Sequence, residues 1–147
     1  MQEDLFHRRA TDGEAMTLYV DGASRGNPGP AGIGVVLYDG GNRVVQSYGR
    51  YIGETTNNVA EYTALLYGLQ EAISHQAVSL RVRTDSELLA RQIQGRYKVK
   101  EPRLKALCDQ VFHLIPTFRS FAIDHLPRTK NREADRLANQ AIDKMKL

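Results

Sequence analysis

The spacing of hydrophobic positions changes period along the chain, and each change marks an element. Met16 to Val20 is an apolar run of strand character, and Gly32 to Tyr38 ("GIGVVLY") is a second. Between Arg43 and Ile52, Val45, Ser47 and Gly49 alternate against Val44, Gln46 and Tyr48, which predicts a third strand. "DGGN" at Asp39 to Asn42 joins the second strand to the third as a hairpin turn. Three strands joined by short turns imply an antiparallel meander.

The period then becomes helical. Polar capping residues at Thr55 to Asn58 precede apolar residues at Tyr62, Leu65, Leu66, Leu69 and Ile73. Val78 to Thr84 ("VSLRVRT") alternates as a strand, and "DSELLARQI" opens a helix with Asp85 and Ser86 as capping candidates. "EPRLKALCDQVFHLI" opens another, with Pro102 at an early position where its missing N–H costs nothing. Phe121 to Leu126 ("FAIDHL") is a fifth strand, and "NREADRLANQAIDKMK" a closing amphipathic helix. The order β-β-β-α-β-α-α-β-α predicts an α/β fold. A mixed five-stranded sheet begins as the meander and continues with two parallel strands reached through helical crossovers, and the helices flank it. Sites in such sheets commonly form at the carboxyl ends of strands.

Composition narrows this picture only a little. A chain of 147 residues, 41% hydrophobic and 25% charged, suits one domain with a real core and excludes wholesale disorder. The net charge of +3 and pI of about 9.1 are compatible with a polyanionic partner. The single cysteine, Cys108, excludes an intramolecular disulfide and a cysteine-cluster zinc site, and fits the reducing cytoplasm. No apolar run reaches membrane-spanning length. Residues 1–15, "MQEDLFHRRATDGEA", lack an apolar signal region and read as a mobile polar lead-in to a domain spanning residues 16–147.

Four carboxylates change the picture more. Asp21 ends the first strand and Asp85 the fourth; taken singly, one reads as a turn aspartate and the other as a helix N-cap. Glu61 shares a helix face with Leu65, Gly68 and Ala72, a face suited to close approach to the sheet, so its carboxylate must find a cation or several donors. An ion pair at the edge of that face is the plainer alternative. Asp135 borders the stripe of Ala134, Leu137, Ala138 and Ala141, where a charge near a helix N-terminus is favourable in itself. Taken together, two carboxylates at strand ends and two near helix starts can face one another. Such a group repels itself unless a cation is present. Oxygen-only ligands in an incomplete shell suit Mg²⁺. Two such ions can assist an in-line phosphoryl displacement.

The segments "YVDGASRGNPGPAGIGVVL", "TTNNVAEYTALLYGL", "RVRTDSELLARQIQG" and "HLPRTKNREADRLANQA", in this order and spacing, resemble type 1 ribonuclease H over roughly Thr17 to Lys144. The resemblance is to the compact form found in archaea and many bacteria. It implies that Asp21, Glu61, Asp85 and Asp135 are metal-binding catalytic carboxylates. It also implies an enzyme that cuts the RNA strand of an RNA–DNA hybrid with two Mg²⁺ ions (Mn²⁺ often substitutes), leaving a 5′-phosphate and a 3′-hydroxyl. Two residues compete for the role of assisting turnover ahead of the last helix. His125 suits an ungapped match to the longer members, and Arg128 suits the compact members and is the one favoured, as a permanent cation near the scissile phosphate. By the same resemblance Gly22, Ala23 and Ser24 offer backbone contacts to the minor groove, where the 2′-hydroxyl distinguishes RNA. Asn27 and Thr56 match residues that hold a DNA-strand phosphate, and Asn57 and Asn58 match minor-groove contacts to both strands.

The tryptophan-containing basic protrusion of the longer members has no counterpart, because the chain has no tryptophan. What remains is "RQIQGRYKVKEPRLK", whose six basic residues from Arg91 to Lys105 would track phosphates or form a solvated face. The longer members carry a glutamine two residues after the third carboxylate; here it is Glu87, which puts one base contact in question. A monomer with no obligate protein partner is expected. Two other readings compete with the nuclease on hybrids: a nucleic-acid-binding module of the same fold without catalysis, and a nuclease that also accepts double-stranded RNA or RNA–DNA junctions.

Overall fold

The structure, a computed structural model, describes residues 15–145. Residues 1–14 of the expected lead-in lie outside the described residues; Ala15 already belongs to the first strand. The strands are β1 (Ala15–Ser24), β2 (Gly29–Tyr38), β3 (Val44–Thr55), β4 (Ser79–Thr84) and β5 (Ser120–His125). The helices are α1 (Asn57–Ser74), α2 (Glu87–Ile93), α3 (Pro102–Leu114) and α4 (Arg132–Met145), with single 3₁₀ turns at Ile115–Thr117 and Arg128–Lys130. The sheet order is β3-β2-β1-β4-β5. β1, β2 and β3 are antiparallel neighbours, and β4 and β5 continue the sheet in parallel with β1, as the order of periods predicts.

Even residues of β1 (Met16, Leu18 and Val20) point into the larger core with α1, α2 and α3. Tyr19 faces the opposite side, where Val36, Ala134, Leu137 and Tyr38 form a smaller cluster under α4. Gly68 opens the first side: a Cβ there would meet the side chains of Leu18 and Val20 at 2.7 and 2.9 Å, so α1 lies close on β1. Gly32 and Gly34 open the second. They alternate along β2 and so share a face, and Ala138 and Ala134 stand one helical turn apart on α4. A Cβ on Gly34 would lie 1.9 Å from the Ala134 carbonyl oxygen, and one on Gly32 2.4 Å from that of Ala138. The glycines of "AGIG" therefore seat α4, and with it Asp135.

One sequence expectation at the site needs correction. β1 does not end at Asp21 but runs to Ser24, because Gly22, Ala23 and Ser24 go on pairing with Ile33, Gly32 and Ala31 of β2. Only the parallel pairing stops there, its last pair being Val20 with Thr84. Asp21 thus lies just past the point where β1 and β4 part, on a strand still held from its other edge. Of the two capping candidates for α2, Ser86 is the cap, accepting from the Leu89 amide at 3.1 Å, which leaves the Asp85 carboxylate available to the cleft.

Candidate active site

Four elements bring one carboxylate each to the end of the sheet where β1 and β4 diverge. Asp21 comes from β1, Glu61 from the second turn of α1, Asp85 from the segment after β4 and Asp135 from the first turns of α4. All four line one open cleft together with Gly22, Ala23, Ser24, Arg25, Asn57, Ser86, Arg128 and Asn139. Asp21, Glu61 and Asp85 each offer an oxygen within 4.8 Å of the others, and Asp135 lines the same cleft beside them.

Glu61 reaches this place through close packing. A Cβ on Gly22 would lie 2.3 Å from the Ala60 carbonyl carbon and 2.4 Å from the Glu61 nitrogen, so only glycine lets α1 come this near β1. At that separation the Gly22 N–H donates to Glu61 Oε1 at 2.6 Å. Glu61 is 6% exposed and Asp21 4%, too buried for solvent to screen them.

The electrostatics follow. Burial raises the Asp21 carboxyl far above its ordinary range, and the charges of Glu61, Asp85 and Asp135 raise it further. Glu61 is also raised, by burial first, against the pull of the Gly22 N–H. Asp85 is raised by burial, while its neighbours Asp21, Arg128 and Asn131 offset part of the rise. Partly buried oxygens that resist ionisation in the metal-free protein are a donor set fitted to a hard cation.

Arg128, on the 3₁₀ turn before α4, places Nη2 3.4 Å from Asp135 Oδ1 with its side chain largely in solvent. His125 ends β5, exposed, and does not line the cleft. Around the rim the β1–β2 turn and the start of α1 are tied together. The Ser24 amide donates to Asn57 Oδ1 at 3.2 Å, the Asn57 amide to Asn27 Oδ1 at 2.9 Å, and Ser24 Oγ to the Thr55 carbonyl at 2.8 Å. Thr56 caps α1, accepting from the Val59 amide, and Asn58 is exposed beside it. The Gly22 and Ser24 amides are thus committed within the protein, so a backbone contact to a ligand there must share those bonds.

Four further residues were not singled out as site residues from the sequence. Ser86 and Arg25 line the cleft. Asn131, 1% exposed, donates Nδ2 to the Val20 carbonyl at 2.9 Å, joining the end of β1 to the start of α4. Asn139 donates to Asp135 Oδ1 at 3.2 Å and to its carbonyl at 3.0 Å. The four-residue spacing of Asn139 from Asp135 on a helix was the available signal.

The family described as reverse transcriptase-like matches residues 19–141. A bifunctional protein of Mycobacterium tuberculosis is 43% identical over 129 residues, covering 87% of this chain and 35% of that protein, so the chain spans about a third of that relative's length. Ribonuclease HI of Halobacterium salinarum is 40% identical over 131 residues, 89% of this chain and 66% of its own. Among solved structures, LC11-RNase H1 in complex with an RNA/DNA hybrid is 45% identical with a TM-score of 0.86, covering 90% of this chain and 99% of that one.

Proposed function

The chain belongs to the ribonuclease H family, and from that premise we propose that it hydrolyses the RNA strand of RNA–DNA hybrids, leaving 5′-phosphate and 3′-hydroxyl ends. The observation that carries the reading is the convergence of Asp21, Glu61, Asp85 and Asp135 from four elements on one cleft. These residues would hold two Mg²⁺ ions, or Mn²⁺ in their place. Two ions so held supply activation of water and stabilisation of the leaving oxygen.

The protein's own contribution is to place and restrain. Glu61 is fixed by the Gly22 N–H and by burial, so its carboxylate stands ready to hold a cation with no rearrangement. Arg128 brings a permanent positive charge to the mouth of the cleft beside Asp135, where it would balance phosphate charge and assist turnover. Ser24, Asn27, Thr56, Asn57 and Asn58 form a polar rim beside the carboxylates, suited to a sugar–phosphate backbone and to the 2′-hydroxyl that marks RNA. Gly22 and Ala23, between that rim and the carboxylates, keep this wall shallow. Because one chain supplies every carboxylate, the reading takes it to act as a monomer. The reducing cytoplasm suits its buried free Cys108. Among the described residues no helix is long and apolar enough to cross a membrane.

The test is cleavage of four end-labelled duplexes of one sequence: RNA–DNA, DNA–DNA, RNA–RNA and DNA with a single ribonucleotide. Each is incubated with Mg²⁺, with Mn²⁺ and with chelator. The expected result is metal-dependent cutting confined to the RNA strand of the hybrid. Cutting of RNA–RNA would widen the substrate class, and silence on all four with binding retained would replace the enzyme by a binding module.

A further inference from the structure

Asp135 is the one carboxylate of the four outside the tight group of three, so something else must aim it. Two donors act on its Oδ1: Arg128 Nη2 at 3.4 Å and Asn139 Nδ2 at 3.2 Å. The first comes from a largely exposed side chain. The second comes from a half-buried amide one turn along the same helix, and that amide is itself oriented. Arg25, on the turn after β1, places Nη2 3.1 Å from Asn139 Oδ1 and 3.2 Å from the Asn139 carbonyl, while its Nη1 bonds Asp143.

The chemistry of these groups makes the arrangement directional. An asparagine amide can turn either its oxygen or its nitrogen toward a neighbour. Guanidinium has donors only, so Arg25 draws the amide oxygen to itself and leaves the NH₂ facing Asp135. Without Arg25 the amide loses the group that fixes its sense, and its oxygen can turn toward a carboxylate and repel it. Arg25 also belongs to the turn that carries Ser24 and Asn27, at the rim of the cleft.

We propose that Asn139 is a positioning residue for Asp135, held in its working sense by Arg25, so that the β1–β2 turn and the fourth carboxylate are coupled through one amide. The inference rests on the metal-dependent reading above, since it concerns how Asp135 meets a cation. Outer-sphere partners of metal-binding carboxylates commonly change metal affinity by 10-fold or more.

The experiment is calorimetric titration of the substrate-free protein with Mn²⁺, for wild type, Asn139→Ala, Arg25→Ala, Arg25→Lys and the Arg25→Ala/Asn139→Ala double variant. Hybrid binding in chelator serves as a second readout. Asn139→Ala is expected to weaken Mn²⁺ binding roughly 10-fold, and Arg25→Ala to weaken it in the same direction. The double variant should bind no worse than Asn139→Ala, and Arg25→Lys, which keeps a donor, should restore most of the affinity. Hybrid binding by Asn139→Ala in chelator should be unchanged. Asn139→Ser replaces the alanine variant if thermal melting shows that the latter has not folded. Unchanged Mn²⁺ affinity in the Asn139 variant would overturn the proposal, as would losses that multiply in the double variant. No Mn²⁺ binding by the wild-type protein would remove the metal-dependent reading itself, and this inference with it.

Discussion

Asp21 is the residue on which the cluster's repulsion falls most heavily, since it is buried and three other carboxylates act on it. A carboxyl raised in the folded state is easier to ionise in the unfolded chain, where its value is about 3.9. Between those two values the folded protein holds the extra proton, so stability falls as pH rises through that window. In chelator, Asp21→Asn is therefore expected to be more stable than wild type at neutral pH by roughly 0.5–2 kcal/mol, with the gap closing toward pH 4. Saturating Mg²⁺ should narrow the gap at neutral pH, because the cation stabilises only the wild-type site. Urea melts at several pH values, with and without Mg²⁺, check this. A gap independent of pH, or a variant less stable than wild type, would mean that repulsion does not govern the metal-free site.

At the scale of elements, the site is set by how closely helices approach the sheet. Gly22 admits α1 and Gly34 admits α4, so small residues on two strands place Glu61 and Asp135. Gly22→Ala must push α1 away from β1 and break the bond from the Gly22 N–H to Glu61. Overpacking of this kind costs about 1–3 kcal/mol. The expected outcome is a less stable protein whose cleavage is lost even at temperatures where melting curves show it fully folded. Full activity in the folded variant would contradict the role given to this contact.

The elements themselves were legible because their signals are local. "DGGN" marks a hairpin, the helical spacing from Tyr62 to Ile73 marks α1, and Pro102 marks the start of α3. The end of β1 was not legible. "DGAS" has turn-forming composition, yet pairing with β2 carries it on as strand. The local pattern offered both Asp85 and Ser86 as the cap of α2, and only the fold decides for Ser86. The supports of the site depend on contacts no local pattern reveals: Asn131 meets Val20 across 111 positions and Arg25 meets Asn139 across 114. The four carboxylates could be picked out because each falls where a charge needs a reason: Asp21 and Asp85 directly after apolar runs, Glu61 on a helix face of small and apolar residues, and Asp135 at the border of an apolar stripe. Arg25 and Asn139 are ordinary surface types in sequence, and only the fold gives them partners.

At the scale of the whole molecule, the sheet supplies a rigid edge, and the two helices that bear Glu61 and Asp135 lie on opposite faces of it. Their carboxylates meet only at the end where β1 and β4 part. The basic segment from Arg91 to Lys105 lies along α2, the loop after it and the start of α3, mostly in solvent, where on the proposed reading its charges would track phosphates beyond the cleft. On that reading binding and cleavage are borne by different residues, and one measurement separates them. A fluorescent RNA–DNA hybrid is titrated with wild type and with Asp85→Asn in chelator, followed by anisotropy, and Mg²⁺ is then added to the same samples to follow cleavage. Equal affinities, with cleavage by the variant reduced at least roughly 10²–10³-fold, are the predicted result. Cleavage retained by Asp85→Asn would contradict the account, and so would binding lost together with cleavage in a variant shown to be folded.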